Sequence, residues 1–246
     1  MKNNYFLKIS VSLLLTIFVS IGLFTGVGRG KQPPQGINKI SKEKFYLPDY
    51  LRGPGSYTYV AHESNGGWVR TGELIVTVEV NGSGRLLGWD RFYLEVPGDP
   101  PVPAKSDLLN IRYELTPSGW FELGRDRVNW NGQISNSEHD PPILVFPFIT
   151  ASVGDHWGGA FIEEVTIDTV PFYHARMWTY TILGTETVTV NGITYADCLK
   201  IARYRASMGD SVKWYAKGIG QVKMIYPNAT GGGGQLFELL TYTSTP

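Results

Sequence analysis

The single cysteine, Cys198, is the residue best suited to nucleophilic chemistry. A cysteine reacts as the thiolate, which a neighbouring cation stabilises and a neighbouring carboxylate disfavours. Asp197 immediately precedes Cys198, and Arg203 and Arg205 follow it. No motif places a histidine base beside the thiol. The sequence therefore favours a structural cysteine, and an enzyme that uses Cys198 is the alternative.

The histidines and paired acids show no spacing typical of a metal or acid–base site. The chain has four histidines, namely His62, His139, His156 and His174. None has a partner at i+2 or i+4, the spacing of a local metal pair. Glu163 and Glu164 are adjacent, so on a strand they point to opposite faces. We expect the histidines on the surface or in loops, and we predict no catalytic residue, no metal site and no cofactor.

Aromatic residues are the clearest excess in the composition, with seven Trp and fourteen Tyr. Such side chains stack on sugars, line apolar cavities or fill the core of a sheet. Spacing alone cannot place them in one groove, so core packing is the favoured interpretation. A carbohydrate-binding module with exposed Trp is a further alternative.

The charge balance argues against nucleic acid as a partner. The chain has 22 Lys and Arg against 22 Asp and Glu. Nucleic-acid binding requires a concentrated basic surface, which this balance does not favour. A single cysteine cannot form an internal disulfide, so the stability of the fold must come from its core.

The N-terminus has the pattern of an export signal. Lys2 and Lys8 flank the polar start, residues 9–24 form an uncharged apolar run, and small residues at 26–28 precede Arg29. These features predict a signal peptide over residues 1–28. An uncleaved anchor is the alternative, because the run approaches the length that spans a bilayer, and only then would the protein contact a membrane. We expect an exported protein that is secreted, periplasmic or associated with the cell surface.

The remainder divides into a Pro- and Gly-rich lead-in over residues 29–55 and a single β domain over residues 56–246. Prolines predict no regular structure in the lead-in. In the domain, Leu74, Val76 and Val78 alternate with polar residues, as in a half-buried strand. Similar segments recur between turns, including Asn191-Gly192. We predict an all-β fold with an antiparallel, strongly curved sheet or half-barrel after an N-terminal signal helix.

Two segments of this domain carry more detailed predictions. The polar stretch 136–142 predicts a long loop between strands. In the last part of the chain, alternation places Trp214 on the apolar interior face with Val222 and Met224, and Lys213 on the opposite face. Gly220 is expected to adopt a backbone conformation that only glycine tolerates.

Three segments of the second half form a recognisable pattern. They are Gly-Asp-His-Trp at 154–157, Thr-Val-Thr-Val-Asn-Gly-Ile-Thr-Tyr-Ala-Asp-Cys at 187–198 and Trp-Tyr-Ala-Lys-Gly-Ile-Gly-Gln-Val-Lys at 214–223. The pattern resembles a broad group of exported bacterial proteins and lipoproteins, mostly of unknown function. That group is similar in architecture to the curved half-barrel of the lipoprotein carriers LolA and LolB. The resemblance implies a non-enzymatic cell-envelope protein whose concave sheet binds an apolar small molecule or lipid.

Overall fold

The computed structural model describes residues 43–65, 68–81, 84–94, 106–129, 132–206, 210–227 and 233–244. The predicted signal peptide and the first part of the lead-in lie outside these ranges, as does Gly82 of the Asn81-Gly82 pair, which the sequence also predicts to form a tight turn. Within them the chain forms fourteen strands and one short 3-10 helix. No helix in the described ranges is long and apolar enough to cross a membrane.

The strands occur in the following order along the chain. They are β1 (Lys44–Tyr46), β2 (Gly55–Asn65), β3 (Trp68–Asn81), β4 (Gly84–Leu94), β5 (Ser106–Thr116), β6 (Gly119–Val128), β7 (Ile134–Pro147), β8 (Thr150–Ser152), β9 (His156–Ile167), β10 (Val170–Val190), β11 (Ile193–Arg205), β12 (Ser211–Ala216), β13 (Gly220–Pro227) and β14 (Gly233–Ser244). The 3-10 helix spans Leu47–Tyr50 and lies between β1 and β2.

Twelve of these strands form one closed antiparallel barrel. Each pairs with the next along the chain, β9 pairs with both β7 and β10, and β14 closes the ring by pairing with β2. The predicted all-β antiparallel fold is confirmed, and the sheet curves far enough to close completely. Closure leaves the barrel without a free edge, the usual weak point of a β-sheet.

The alternation in the sequence of β3 matches its buried face. Leu74, Val76 and Val78 are each buried. Tyr59 lies opposite Leu74 and Tyr57 lies opposite Val76 on the neighbouring β2, and both tyrosines are buried too. Directly opposed residues share a face of the sheet, so these five side chains pack on one another inside the barrel.

The predicted loop at 136–142 is wrong, because this stretch lies within the continuous strand β7. Residues 136–138 pair with β6 and residues 136–140 pair with β9, while residues 139–142 bulge out of the ladder with β6. Ser137 and His139 are buried while Asn136 and Glu138 are not. The stretch lacks apolar residues because the face it turns inward meets a polar interior.

The end of the predicted lead-in has regular structure and closes one mouth of the barrel. We call residues 44–54, with β1 and the 3-10 helix, the plug. Phe45, Leu47 and Tyr50 are buried against aromatic residues of the barrel. The Leu47 amide donates to Ile149 at one side of the mouth, and the Gly218 amide donates to Asp49 at the other. The prediction that prolines prevent regular structure is therefore wrong for this stretch.

The predicted burial of Trp214 in one apolar cluster with Val222 and Met224 is confirmed, but the strand register does not place Trp214 on the same face as Met224. Trp214 is 5% exposed. A β-bulge in β13 makes Val222 an extra residue, so Trp214 lies opposite Lys223 and Lys213 lies opposite Met224. The Trp214 indole donates to Glu186 at 2.6 Å and Lys200 lies 5.1 Å from its ring. Lys213, and not Trp214, therefore shares the face of Met224.

Candidate functional site

The barrel interior holds a cluster of charged and aromatic side chains, which we call the cationic cluster. Its residues come from strands that are far apart in sequence. They are Glu122 and Arg125 on β6, Trp178 and Tyr180 on β10, Arg203 on β11, Lys213 on β12 and Tyr226 on β13. Strands β6 and β12 are not neighbours in the sheet, so side chains from them meet across the interior of the barrel.

Trp178 is the platform of the cationic cluster. It is 2% exposed, and the guanidinium carbons of Arg125 and Arg203 lie 4.9 and 5.2 Å from its ring. Phe161 and His139 meet the ring edge-on at 5.2 and 5.9 Å. An aromatic face attracts cations through its quadrupole, so the indole holds two like charges in one small volume.

The pKa of Tyr226 indicates the sign of the charge that surrounds it in the cationic cluster. The Arg203 guanidinium donates to its hydroxyl at 2.8 Å, and Arg205 lies 5.1 Å from its ring. Burial by itself would raise the pKa of Tyr226, but Arg203, Arg205 and Arg125 outweigh burial and lower the pKa below its ordinary value. A buried phenol that ionises more easily than in water indicates an excess of positive charge around it.

Lys213 lies in the same surroundings and responds in the opposite direction. Burial first, and then Arg203 and Arg52, depress the pKa of Lys213 well below its ordinary value, while Glu122 opposes the shift. Lys213 has no hydrogen bond or ion pair to any residue in the described ranges. Its amino group is therefore a buried base that has no acid bound to it in the described part of the barrel.

A second group of interior residues, in which acidic and basic side chains alternate, lies beside the cationic cluster. The His139 ring is completely buried, and its two nitrogens lie 3.8 Å from carboxylate oxygens of Glu122 and Glu163. Arg125 binds Glu122 at 2.5 Å, and Arg176 binds Glu163 at 2.9 Å. The expectation that the histidines lie on the surface or in loops is therefore wrong for His139.

This arrangement stabilises the ionised form of Glu163, so its contribution to the stability of the fold depends on pH. The His139 ring, and after it Arg176, hold the pKa of Glu163 at about 2, against the opposing effect of burial. The ordinary value is 4.5. The folded state thus keeps this carboxylate ionised more strongly than the unfolded chain does, so the stabilisation is complete above pH 4.5 and is lost as the pH falls towards 2.

We expect Glu163→Gln to lower the free energy of unfolding at pH 7 by about 1–2 kcal/mol, a range that allows for partial solvent screening of the site. The difference from wild type should shrink as the pH falls and vanish near pH 2, where the wild-type carboxylate is also losing its charge. Urea unfolding between pH 2 and 7 measures this. The control is Glu164→Gln, one residue along on the opposite face. A constant difference across the pH range would contradict the prediction.

The centre of the barrel contains accessible space. Five side chains there lie deep within the protein and yet keep part of their surface accessible: Tyr113, Arg125, Lys213, Tyr215 and Tyr226. Arg125, for example, is 21% exposed. Inward-facing side chains that are partly accessible indicate solvent-accessible space between them. We call this space the lumen.

The remaining residues singled out from the sequence lie apart from the lumen centre. Cys198 is a free, fully buried thiol, which donates to the Tyr195 carbonyl at 3.5 Å. Burial, with smaller contributions from Asp197 and Glu186, raises its pKa to about 11. His156 and His174 are exposed. The described ranges contain no group of three or more His, Cys, Asp or Glu residues arranged to hold a metal ion.

Sequence reasoning misses most of the cationic cluster. It draws attention to Arg203 only for its closeness to Cys198 along the chain, and it places Lys213 on the face opposite the interior. The only available signal is the coincidence of basic and aromatic residues near one another, as at Arg203 and Arg205 on β11. That pattern does not distinguish an inner face from a solvated one.

Comparisons with known proteins give a structural neighbour and no family. No protein-family model matches the chain, and no curated protein matches it significantly. Among solved structures, the chain is similar to the crystal structure of a β-barrel-like protein of domain of unknown function DUF1849 from Brucella abortus. The sequence identity is 5%, the TM-score is 0.49, and the match covers 80% of this chain and 100% of that chain. The resemblance to LolA and LolB stays a prediction.

Proposed function

We propose that the protein is an exported, non-enzymatic binding protein of the cell envelope, which holds a small organic molecule or lipid in the lumen of its barrel. The observation that carries this proposal is the accessible surface of Tyr113, Tyr215 and Tyr226 deep within the barrel. A core that served only for stability would be packed without such space. The plug at one mouth and the aromatic walls suit retention of a ligand.

The wall next to the plug is suited to the apolar part of a ligand. Phe146 meets Tyr215 at 5.7 Å and Trp157 at 6.3 Å, and Trp157 stacks on Tyr180 at 5.6 Å. The Trp157 indole donates to the Val145 carbonyl, which fixes the orientation of its ring. Rigid aromatic walls give a large contact area at little entropic cost.

The two alternative functions have weaker support. A nucleophilic Cys198 would require an accessible thiolate, whereas this thiol is buried and its pKa is raised to about 11. A sugar-binding platform would require exposed indoles, whereas Trp120, Trp178 and Trp214 are buried.

Native mass spectrometry of the protein extracted from its own host tests the proposal. We expect a chain that begins at Arg29 and carries an additional mass of a few hundred daltons, which is released when the protein is denatured. An intact Met1 in a membrane fraction would contradict the cleaved signal peptide. Host protein that consistently carries no additional mass, and that gains none from a lipid extract of the same cells, would contradict the binding function.

A further inference from the structure

The cations of the lumen differ in whether an acid neutralises them. Arg125 is bound by Glu122, the buried acid of the cationic cluster. The partners of Arg203 are neutral: it donates to the Ser211 hydroxyl at 3.3 Å and to the Tyr226 hydroxyl at 2.8 Å, and it lies over Trp178. Lys213 has no such partner in the described ranges. Two basic groups at the centre of the barrel therefore have no acid bound to them among the described residues, and Glu122, the acid whose charge acts on both, is bound to Arg125.

Uncharged hydrogen-bond donors beside Arg203 also lack an acceptor. Trp178 and Tyr180 are 2% and 3% exposed. The Trp178 Nε1 atom has no hydrogen-bond partner within the described ranges, and the Tyr180 hydroxyl, which lies against the Arg203 guanidinium, donates to none of the described residues. Buried polar atoms without partners are rare in proteins, and each calls for an explanation, which a bound water, ion or ligand can supply. The Arg203 backbone lies opposite Tyr180 on the neighbouring strand, so the hydroxyl donor and a guanidinium with no acid bound to it share one wall.

Register places Lys213 on that same wall. Lys213 lies opposite Ile201, which is two residues before Arg203 on β11 and therefore points to the same face. The neighbouring strand places Ile182, two residues after Tyr180, opposite Ile201. Lys213, Arg203 and Tyr180 thus project from three adjacent strands into one region of the lumen.

We propose that the ligand of the lumen carries an anionic group, a carboxylate, sulfonate or phosphate, which is bound between Lys213 and Arg203. The proposal rests on the binding function proposed above and specifies the chemical class of the ligand. The anion supplies the counter-charge to both cations and accepts from the neutral donors around them. The rest of the molecule lies against the aromatic wall. The ligand is thus an amphiphilic organic anion and not a purely apolar molecule.

Proton uptake accompanies binding of the anion. The groups that act on Lys213 are Arg203, Arg52 and Arg205, which disfavour its ammonium form, and Glu122, which favours it. A bound anion adds a second group that favours the ammonium form, so the pKa of Lys213 rises on binding. Affinity for the anion should therefore fall as the pH rises through the pKa of Lys213 in the free protein.

Two fluorescent dyes that differ by one sulfonate test the proposal on the purified protein. The dyes are 8-anilinonaphthalene-1-sulfonate, which is anionic, and N-phenyl-1-naphthylamine, which is neutral. We expect the sulfonate to bind more tightly. Lys213→Met should weaken its binding at least about tenfold, the scale of a charge-assisted hydrogen bond, and change binding of the neutral dye less than about twofold. Lys213→Arg, which keeps the charge, should retain the preference for the anion.

Lys200→Met is the matched control, because Lys200 lies opposite Trp214 on the other face of the sheet and is paired with Glu186. It should leave both dyes unaffected. Binding of the neutral dye also shows that each variant has kept its barrel. Equal affinity of the two dyes for wild type, or an unchanged preference in Lys213→Met, would overturn the anion site and leave the lumen function standing. Binding of neither dye would overturn both.

Discussion

Replacement of Trp178 by alanine is expected to lower the free energy of unfolding by about 3–5 kcal/mol, the usual cost of truncating a buried tryptophan. The indole is 2% exposed and packs edge-on with Phe161 at 5.2 Å. The change also removes the surface on which the guanidinium groups of Arg125 and Arg203 rest. The two guanidinium groups would then repel each other across a cavity, which lowers the free energy of unfolding further. Urea unfolding followed by far-ultraviolet circular dichroism measures the effect.

Two further variants separate packing from electrostatics at this position. Trp178→Phe keeps an aromatic face for the two cations, whereas Trp178→Leu keeps only apolar bulk. We expect Leu to be the more destabilising of the two, although both should be milder than Ala. An alanine variant within about 1 kcal/mol of wild type would show that Trp178 does not organise the interior.

Local patterns in the sequence predict much of the barrel wall. The alternation of Leu74, Val76 and Val78 correctly indicates a strand with one buried face. The Asn191-Gly192 pair correctly indicates a tight turn, and the two residues have φ of 48° and 79°. Such signals are available because a strand and its turn are defined by neighbouring residues. Closure of the sheet is different, because it depends on the pairing of β14 with β2, which lie at opposite ends of the domain sequence.

The candidate site is not predictable in the same way. A period of two tells which residues share a face, but not which face is inside, and a bulge reverses the assignment. Val222 is such a bulge, which is why alternation alone gives Trp214 the face that belongs to Lys213. The inward position of His139 is not predictable for a related reason, because a polar strand that faces a polar interior has the composition of a loop.

Replacement of Gly220 by valine is expected to destabilise the protein by more than about 4 kcal/mol, because it combines backbone strain with a steric clash. Gly220 has a φ of 98°, a conformation that is a genuine outlier for a β-branched residue. A Cβ atom at Gly220 would also collide with both the backbone and the side chain of Arg52. Arg52 lies in the plug, and its guanidinium carbon is 5.2 Å from the Tyr59 ring. The valine would therefore displace the plug from the barrel mouth.

Gly218→Val isolates the contribution of the plug. Gly218 also has a positive φ, 77°, but no heavy atom lies within 4 Å of the position that a Cβ atom would occupy there. Its replacement should cost only the backbone strain, about 1–3 kcal/mol. Urea unfolding gives the two free energies, and trypsin cleavage after Arg52 reports release of the plug, which should accelerate in Gly220→Val alone. Equal losses and equal cleavage in the two variants would mean that the plug is not held in place through Gly220. A larger loss of stability in Gly220→Val, together with faster cleavage, would mean that the absence of a side chain at Gly220 allows the plug to stay at this mouth of the lumen.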